Sequence, residues 1–476
     1  MNSPMIPRGA LITLTALAIA AFAGCLAAAA VDGGELPALI WLPLAFVGAL
    51  WLVPAAAAAR RGESWPYVAM LALLVFVTES TFRARAWTDK SLDWQVLLKG
   101  GVWLAAGTMG LMHLGLMRRA MAEPPACFVG LLVGLMAVSA AWSPVPGYTL
   151  SSSLGFFCCL LFALATTQLL EEREVLFGLA LGCALVVFPS LLVAPFSNSL
   201  AGPSPGSTAT LDRLAGTTDH PIGLAEACAS AIFLAAFLLA RRAAWRWLWW
   251  LLVVGGLAGL VLSRSRMPAA AMLLAWVIAF CRQRGVLTYF AAASLAAAMA
   301  AGLVVYGLGF DALVPRDVLR LMSRSGEARE VLTLSGRLDI WRSVLHKVAD
   351  APWLGHGFGS GNVVMRDFFR WHLNHAHNAY LQALLYLGVV GLGLLLAAIW
   401  GQLRAFLRSP SLGRDSLAFY VLIMGLTEQG PLPNAPGVVS LIWMLTAGLV
   451  VAGRQGQVRA ALPLAMVVSE AGWAPR

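Results

Sequence analysis

The chain has 476 residues, 60% of them hydrophobic and 12% charged, with a mean hydropathy of +0.78. No soluble globule of this length can hide that much apolar surface, so the composition excludes a water-soluble enzyme and requires a chain that spans a membrane many times. The formal charge of +10 comes from arginines paired between apolar runs; this is the pattern of topology signals, so no nucleic-acid partner is expected.

The first apolar run, 9–30, is longer than a signal-peptide core and leads straight into another, so it reads as a helix that stays. Runs able to cross about 30 Å of hydrocarbon recur at 37–59, 66–82, 95–114, 125–142, 150–170, 174–194, 221–240, 244–262, 267–281, 286–307, 378–402, 415–428 and 437–453. Because 66–82, 267–281 and 415–428 are short, the expectation is 12–14 spans. The fold class is all-α: a polytopic transmembrane helical bundle with a long, mainly helical outer loop before the third-last span. The expected division is a bundle over 1–307, an outer loop domain over 308–376, C-terminal helices over 377–453 and a cytoplasmic tail over 454–476. Of the seven cysteines, Cys25, Cys127, Cys158, Cys159, Cys183 and Cys228 lie within apolar runs and Cys281 ends one, as small hydrophobes rather than a disulfide framework.

Arg60-Arg61, Arg118-Arg119, Arg241-Arg242 with Arg246, Arg282 with Arg284, Arg404 with Arg408 and Arg414, and Arg454 with Arg459 fall on one side of these runs. The positive-inside bias makes that side cytoplasmic and places both termini there. Polar chemistry then gathers on the opposite face, in the loops 82–93, 143–149, 195–220, 263–266 and above all 308–376.

Within that long segment, Ser335 reads as an N-cap, and Leu338, Trp341, Val344, Leu345 and Val348 recur at helical spacing, with Asp339, Arg342, His346 and Asp350 opposite. Arg337 shares a row with Trp341, Val344 and Val348. Its guanidinium therefore points along the buried edge, next to the free N–H groups of the first turn, where a phosphate is welcome; an arginine snorkelling to lipid headgroups explains the same pattern equally well. Gly355, Gly357, Gly359 and Gly361 lack the strand–turn–helix setting of a nucleotide loop and read as a flexible or tightly turned connector. Phe368, Phe369 and Trp371, between Arg366 and Arg370, read as an interfacial belt.

His375 and His377 stand just before the run that begins near Asn378, so His377 meets the positive end of a helix dipole, which disfavours its charged form. A metal site drawn from His356, His372, His375 and His377 competes with this reading, but no cysteine or closely spaced carboxylate completes it. Neither metal nor cofactor is expected.

His377-Asn378, nine residues, then Gly388-Val-Val-Gly391 resembles the signature of the O-antigen ligase and O-antigen polymerase superfamily of bacterial envelope glycosyltransferases. Ser335-Gly-Arg337-Leu-Asp-Ile-Trp341 followed by Pro352-Trp-Leu-Gly355-His-Gly357 is similar to the segment that family places before its histidine. Ser265-Arg266-Met-Pro268 is a third match, and Arg213-Leu-Ala-Gly216 leading into Asp219-His-Pro221 a fourth. The family usually has about twelve spans, and the Ser-Arg-Ser-Arg repeat leaves its arginine ambiguous between Arg264 and Arg266; Met-Pro after Arg266 favours the latter.

The resemblance implies metal-free, inverting transfer of a glycan from a polyprenyl (undecaprenyl) diphosphate carrier to a hydroxyl acceptor. The setting is the outer face of a bacterial inner membrane, among membrane lipids. Arg266 and Arg337 would stabilise the leaving diphosphate and His377 would orient or deprotonate the acceptor; Arg264, Arg213, His375, Trp341 and Asn378 would contact substrate. The leading expectation is an O-antigen ligase acting on lipid A–core. The alternatives are a polymerase that extends a growing polysaccharide, transfer to protein, and a polysaccharide transporter. A transporter would place its polar groups at the bilayer midplane, whereas here they crowd the outer loops.

Overall fold

The computed structural model describes residues 63–82, 94–199, 213–286, 337–366 and 375–461, with a few positions between 288 and 297. The runs at 9–30 and 37–59, most of 286–307, Arg60-Arg61, the loop through Ser335, and Phe368, Phe369, Arg370, Trp371 and His372 lie outside the described residues. Those residues form α-helices joined by turns, with two isolated bridges (Ser80 with Thr218, Ser199 with Gly216) and no strand among them. The fold is an all-α polytopic bundle, as its composition requires.

In chain order the helices are α1 (Trp65–Glu79), α2 (Trp94–Leu111), α3 (Leu114–Met121), α4 (Pro124–Val138), α5 (Pro146–Leu169), α6 (Glu172–Val193) and α7 (Pro221–Ala240). They continue with α8 (Arg246–Ser263), α9 (Met267–Gln283), α10 (Arg337–Asp350), the single turn α11 (Gly361–Val364), α12 (Ala379–Arg408), α13 (Leu412–Thr427) and α14 (Val438–Ala461). Six helices among the described residues are long and apolar enough to cross a membrane: α4 with its following 3₁₀ turn, α5, α6, α7, α8 and α12. The run at 95–114 ends in a bend of 87° between α2 and α3. The amphipathic α3 carries Arg118 and Arg119 away from that axis, so the chain does not continue straight. Arg414 is also not an open loop charge: it is buried in an ion pair with Asp415 at 2.7 Å.

α1, short for a span, is apolar all round and almost wholly enclosed by protein, which is what an apolar helix without a polar face requires. Gly178 and Gly182 of α6 let the two helices touch, since a Cβ on Gly182 would stand 2.5 Å from the Val75 Cβ. Small residues four apart provide this close approach where no hydrophobic effect separates helix from lipid. α9 packs along α13, and Arg282 at its end reaches the carbonyl of Leu407 just before α13 begins. The two helices are therefore antiparallel, which puts the head of α9 at the same end of the bundle as the end of α13.

The Gly355–Gly361 connector is tightly turned and docks into a break in α12. Gly388 leaves the helix with φ +64° and ψ −163°. The interrupted ladder is repaired by the loop backbone: His356 and Gly357 N–H donate to the carbonyls of Leu385 and Tyr386 (both 2.9 Å), and Val389 N–H donates to Pro352 (2.8 Å). A kink with its freed groups satisfied by a neighbouring segment is stable. A Cβ on Gly388 would lie 2.2 Å from the Trp353 carbonyl, and one on Gly355 2.4 Å from the Tyr386 carbonyl carbon. Gly388→Ala should therefore destabilise the protein by roughly 2 kcal/mol or more, lowering the thermal midpoint in detergent; an unchanged midpoint would contradict this docking.

Candidate functional site

α10 packs against α12; its Val344 is buried in the core with Ile340 and Val348 packed beside it, Trp341 is half-buried, and Leu338 and Leu345 are exposed. The expected apolar stripe is thus narrower than its hydrophobic residues suggested. The row Arg337–Trp341–Val344–Val348 does form the packed edge, and Arg337 leads from it into the interior. There its guanidinium donates to Glu428, the residue that closes α13.

Glu428 joins the site from 51 residues beyond His377. Its second oxygen lies 3.0 Å from His377 Nδ1. A carboxylate can only accept, so Nδ1 carries a proton towards it, and in the neutral imidazole Nε2 is then the atom free to accept. The His377 side chain stays 24% exposed, against 7% for Glu428, so a buried carboxylate holds a reachable base. A lone Glu at the end of an apolar run has no local signature; only the fold places it beside the histidine.

The backbone around His377 is fixed on both sides. Ala376 N–H donates to Gln382 Oε1 (2.8 Å), and its carbonyl accepts from the Trp341 indole (3.1 Å). His377 itself sits in the left-handed region at φ +47°, at a cost of order 1–3 kcal/mol that such clamps must hold in place. Asn378 then caps α12, its Oδ1 accepting from the N–H groups of Tyr380 and Leu381 (both 3.0 Å) and its Nδ2 donating to Leu426. In this structure Trp341 and Asn378 thus spend their polar groups on aiming the histidine. The return loop after Glu428 is pinned in turn, Asn434 accepting from the Tyr386 hydroxyl (2.7 Å) and donating its N–H to Gln429.

His375 Nε2 approaches His377 Nδ1 at 3.2 Å. Burial, and then the charges of His377, His220 and Arg337, push His375 well below the ordinary imidazole range, so it is neutral. The three donor atoms of His375, His377 and Glu428 lie within 4.8 Å of one another, so a carboxylate does complete the histidine pair after all. A dication there would stand beside the Arg337 guanidinium on the same carboxylate, which opposes it.

Arg213 is buried and donates Nε to the Ser263 carbonyl (2.9 Å) and an Nη to the Ser265 hydroxyl (2.6 Å). It thereby shapes the turn that carries Arg264, left-handed at φ +49°, and Arg266, at the head of α9. Both of those side chains are exposed, at the end of the bundle that holds Glu428.

Residues 251–396 match the model of the O-antigen ligase family, a stretch that includes Arg264, Arg266, Arg337, His375, His377 and Asn378. A curated protein from Rhizobium meliloti (strain 1021), the exopolysaccharide production protein ExoQ, is 24% identical over 293 residues. Over residues 251–396 the chain is similar to the O-antigen ligase family. The match to ExoQ covers 56% of this chain and 62% of that relative's length. The superfamily match ends before Glu428 and begins after Arg213, so two groups that shape this site lie outside the stretch the family model recognises.

Proposed function

We propose that the protein transfers a glycan from a polyprenyl diphosphate carrier to a hydroxyl acceptor, without metal and with inversion, at the outer face of a bacterial inner membrane. The observation that carries this reading is the Glu428–His377 pair, which leaves Nε2 as a base while Arg337 stands on the same carboxylate. The bond from the anomeric carbon to the phosphate oxygen breaks, and its electrons remain on the diphosphate. The acceptor oxygen bonds to the opposite face of that carbon, and its proton passes to His377 Nε2. Glu428 stabilises the imidazolium so formed.

Arg337 gives Glu428 one of its nitrogens and keeps its other N–H donors for the diphosphate. Arg266, or Arg264 beside it, supplies a second fork from the head of α9. Charge developing on a leaving diphosphate is met by such preorganised donors, so no nucleotide or metal is required. Lipid A–core is the acceptor for a ligase, the function for which the matched family is named. The ExoQ relative favours a second reading, extension of a growing exopolysaccharide.

Purified protein given a polyprenyl-diphosphate glycan should turn over in EDTA. Loss of activity restored by magnesium or manganese would overturn the arginine mechanism and return His375, His377 and Glu428 to the role of ligands. In a deletion strain, altered lipopolysaccharide supports the ligase, and loss of free polysaccharide supports the polymerase.

A further inference from the structure

The His377–Glu428 contact joins the ends of two helices that the chain connects at their other ends: α12 stops at Arg408 and α13 starts at Leu412. The break at Gly388 separates the outer part of α12 from that connection, so the helix alone does not carry the register of the far turn up to His377. Catalytic groups act only when held to within a fraction of an ångström of their productive geometry. A contact nearer the site must set the register.

The strap that follows Glu428 supplies it. Its sequence, Pro431-Leu-Pro433-Asn434-Ala-Pro436, holds three prolines in six residues, each with φ fixed by its ring. Leu432 N–H donates to the Gln429 carbonyl (3.0 Å) and Asn434 N–H to Gln429 Oε1 (3.1 Å), closing a compact turn directly after Glu428. The Asn434 carbonyl accepts from the Tyr148 hydroxyl (3.2 Å) and from the Ser152 hydroxyl, both on α5. At the end of the strap, Val438 N–H donates to Glu79 of α1.

The side chain of Asn434 turns to α12. Its Oδ1 accepts from the Tyr386 hydroxyl (2.7 Å), and Gln382 Nε2 stands 3.5 Å from the same oxygen, at the edge of hydrogen-bond reach. Gln382 is fully buried, and its Oε1 accepts from the N–H of Ala376 (2.8 Å), the residue before His377. Asn434 thus reaches the neighbours of both groups: Gln429 beside Glu428 and, through Gln382, Ala376 beside His377. Its main-chain groups fasten the strap to α5 and to Gln429, whereas its side chain fastens the strap to the outer part of α12.

We propose that Asn434 is a positioning residue for transfer: its side chain holds the outer part of α12 to the strap and so sets His377 Nδ1 against the Glu428 carboxylate. This rests on the transfer reading and names what keeps its base and carboxylate paired. Asn434→Ala removes the side-chain bonds and leaves the main-chain ones. With the full chain in detergent micelles, the variant should keep its affinity for farnesyl diphosphate and its KM for a lipid-linked glycan, while kcat falls roughly ten- to a hundredfold, the effect of a small misplacement of reacting groups. The ¹⁵N-histidine spectrum should show the His377 Nδ1–H bond to Glu428 weakened, a change that lowered stability alone does not produce. Asn434→Asp keeps an acceptor for Tyr386 and should recover most of the lost turnover. Wild-type kcat in folded Asn434→Ala overturns the assignment, as does a slowed variant whose His377 Nδ1 proton signal is unmoved. If Asn434→Ala fails to fold, Tyr386→Phe decides the question in the same way: it keeps the ring 5.7 Å from that of Phe358 and removes the hydroxyl that donates to Asn434, and wild-type kcat in it overturns the assignment. A wild-type chain that binds the lipid-linked glycan yet transfers nothing would instead overturn the transfer reading, while the His377 signal still tests Asn434.

Discussion

Replacing His377 with Ala should lower glycan transfer by roughly 10²–10⁴-fold, the usual contribution of a positioned general base, without loss of expression or of thermal stability. The left-handed backbone and the Ala376 clamps belong to the main chain, Trp341 and Gln382, Arg337 still meets Glu428 when the ring is gone, and Ala at φ +47° pays only a modest penalty. His375→Ala should retain much of the activity. The two rings are 4.0 Å apart, so the pair of variants separates a base from a neighbour in the same surroundings. Single-turnover rates with a lipid-linked glycan read the difference directly. A wild-type rate in His377→Ala, or losses that are equal in the two variants, would remove the base from this site.

Much of this arrangement is legible in the sequence because it is local. Helical spacing put Arg337 on the same edge as Trp341, Val344 and Val348, and that edge is the packed one. The glycines between Pro352 and Gly361 marked a tight turn, and the turn exists because three of them adopt positive φ against the broken α12. What the sequence hides is long-range. Glu428 stands in a region with no motif, and only the packing of α13 beside α12 brings its two oxygens to Arg337 and His377. The carboxylate that completes the histidine pair is hidden for the same reason, since Glu428 meets His375 and His377 only in the folded chain. Trp341 and Asn378 were legible as members of the site but not in their present roles, since the backbone groups they bond belong to Ala376, Tyr380, Leu381 and Leu426. The 87° bend after Leu111 has no proline to announce it.

Glu428→Gln should reduce transfer by as much as the loss of His377, through a different failure. Glu428 faces two donors, the guanidinium of Arg337 and the Nδ1–H of His377, and a carboxylate offers each its own oxygen. Glutamine has the same shape but only one oxygen, and its other arm is itself a donor. If the oxygen turns to Arg337, the amide NH₂ meets His377 Nδ1, which must give up its proton to accept; the ring then carries hydrogen on Nε2 and can no longer deprotonate an acceptor. In either orientation the Arg337 cation, only 14% exposed, loses its counter-charge, at a cost of order 3 kcal/mol; if the oxygen turns to His377, Arg337 loses its hydrogen-bond acceptor as well. The first arrangement keeps an acceptor on Arg337 and should dominate, so the expected result is a folded protein of lowered thermal midpoint whose transfer rate falls by roughly 10²–10⁴-fold, with farnesyl diphosphate still bound. Histidine ¹⁵N spectra should show the His377 proton moved from Nδ1 to Nε2. If Glu428→Gln transfers glycan at the wild-type rate with that proton unmoved, the carboxylate is a tether for Arg337 alone and the base must be sought elsewhere.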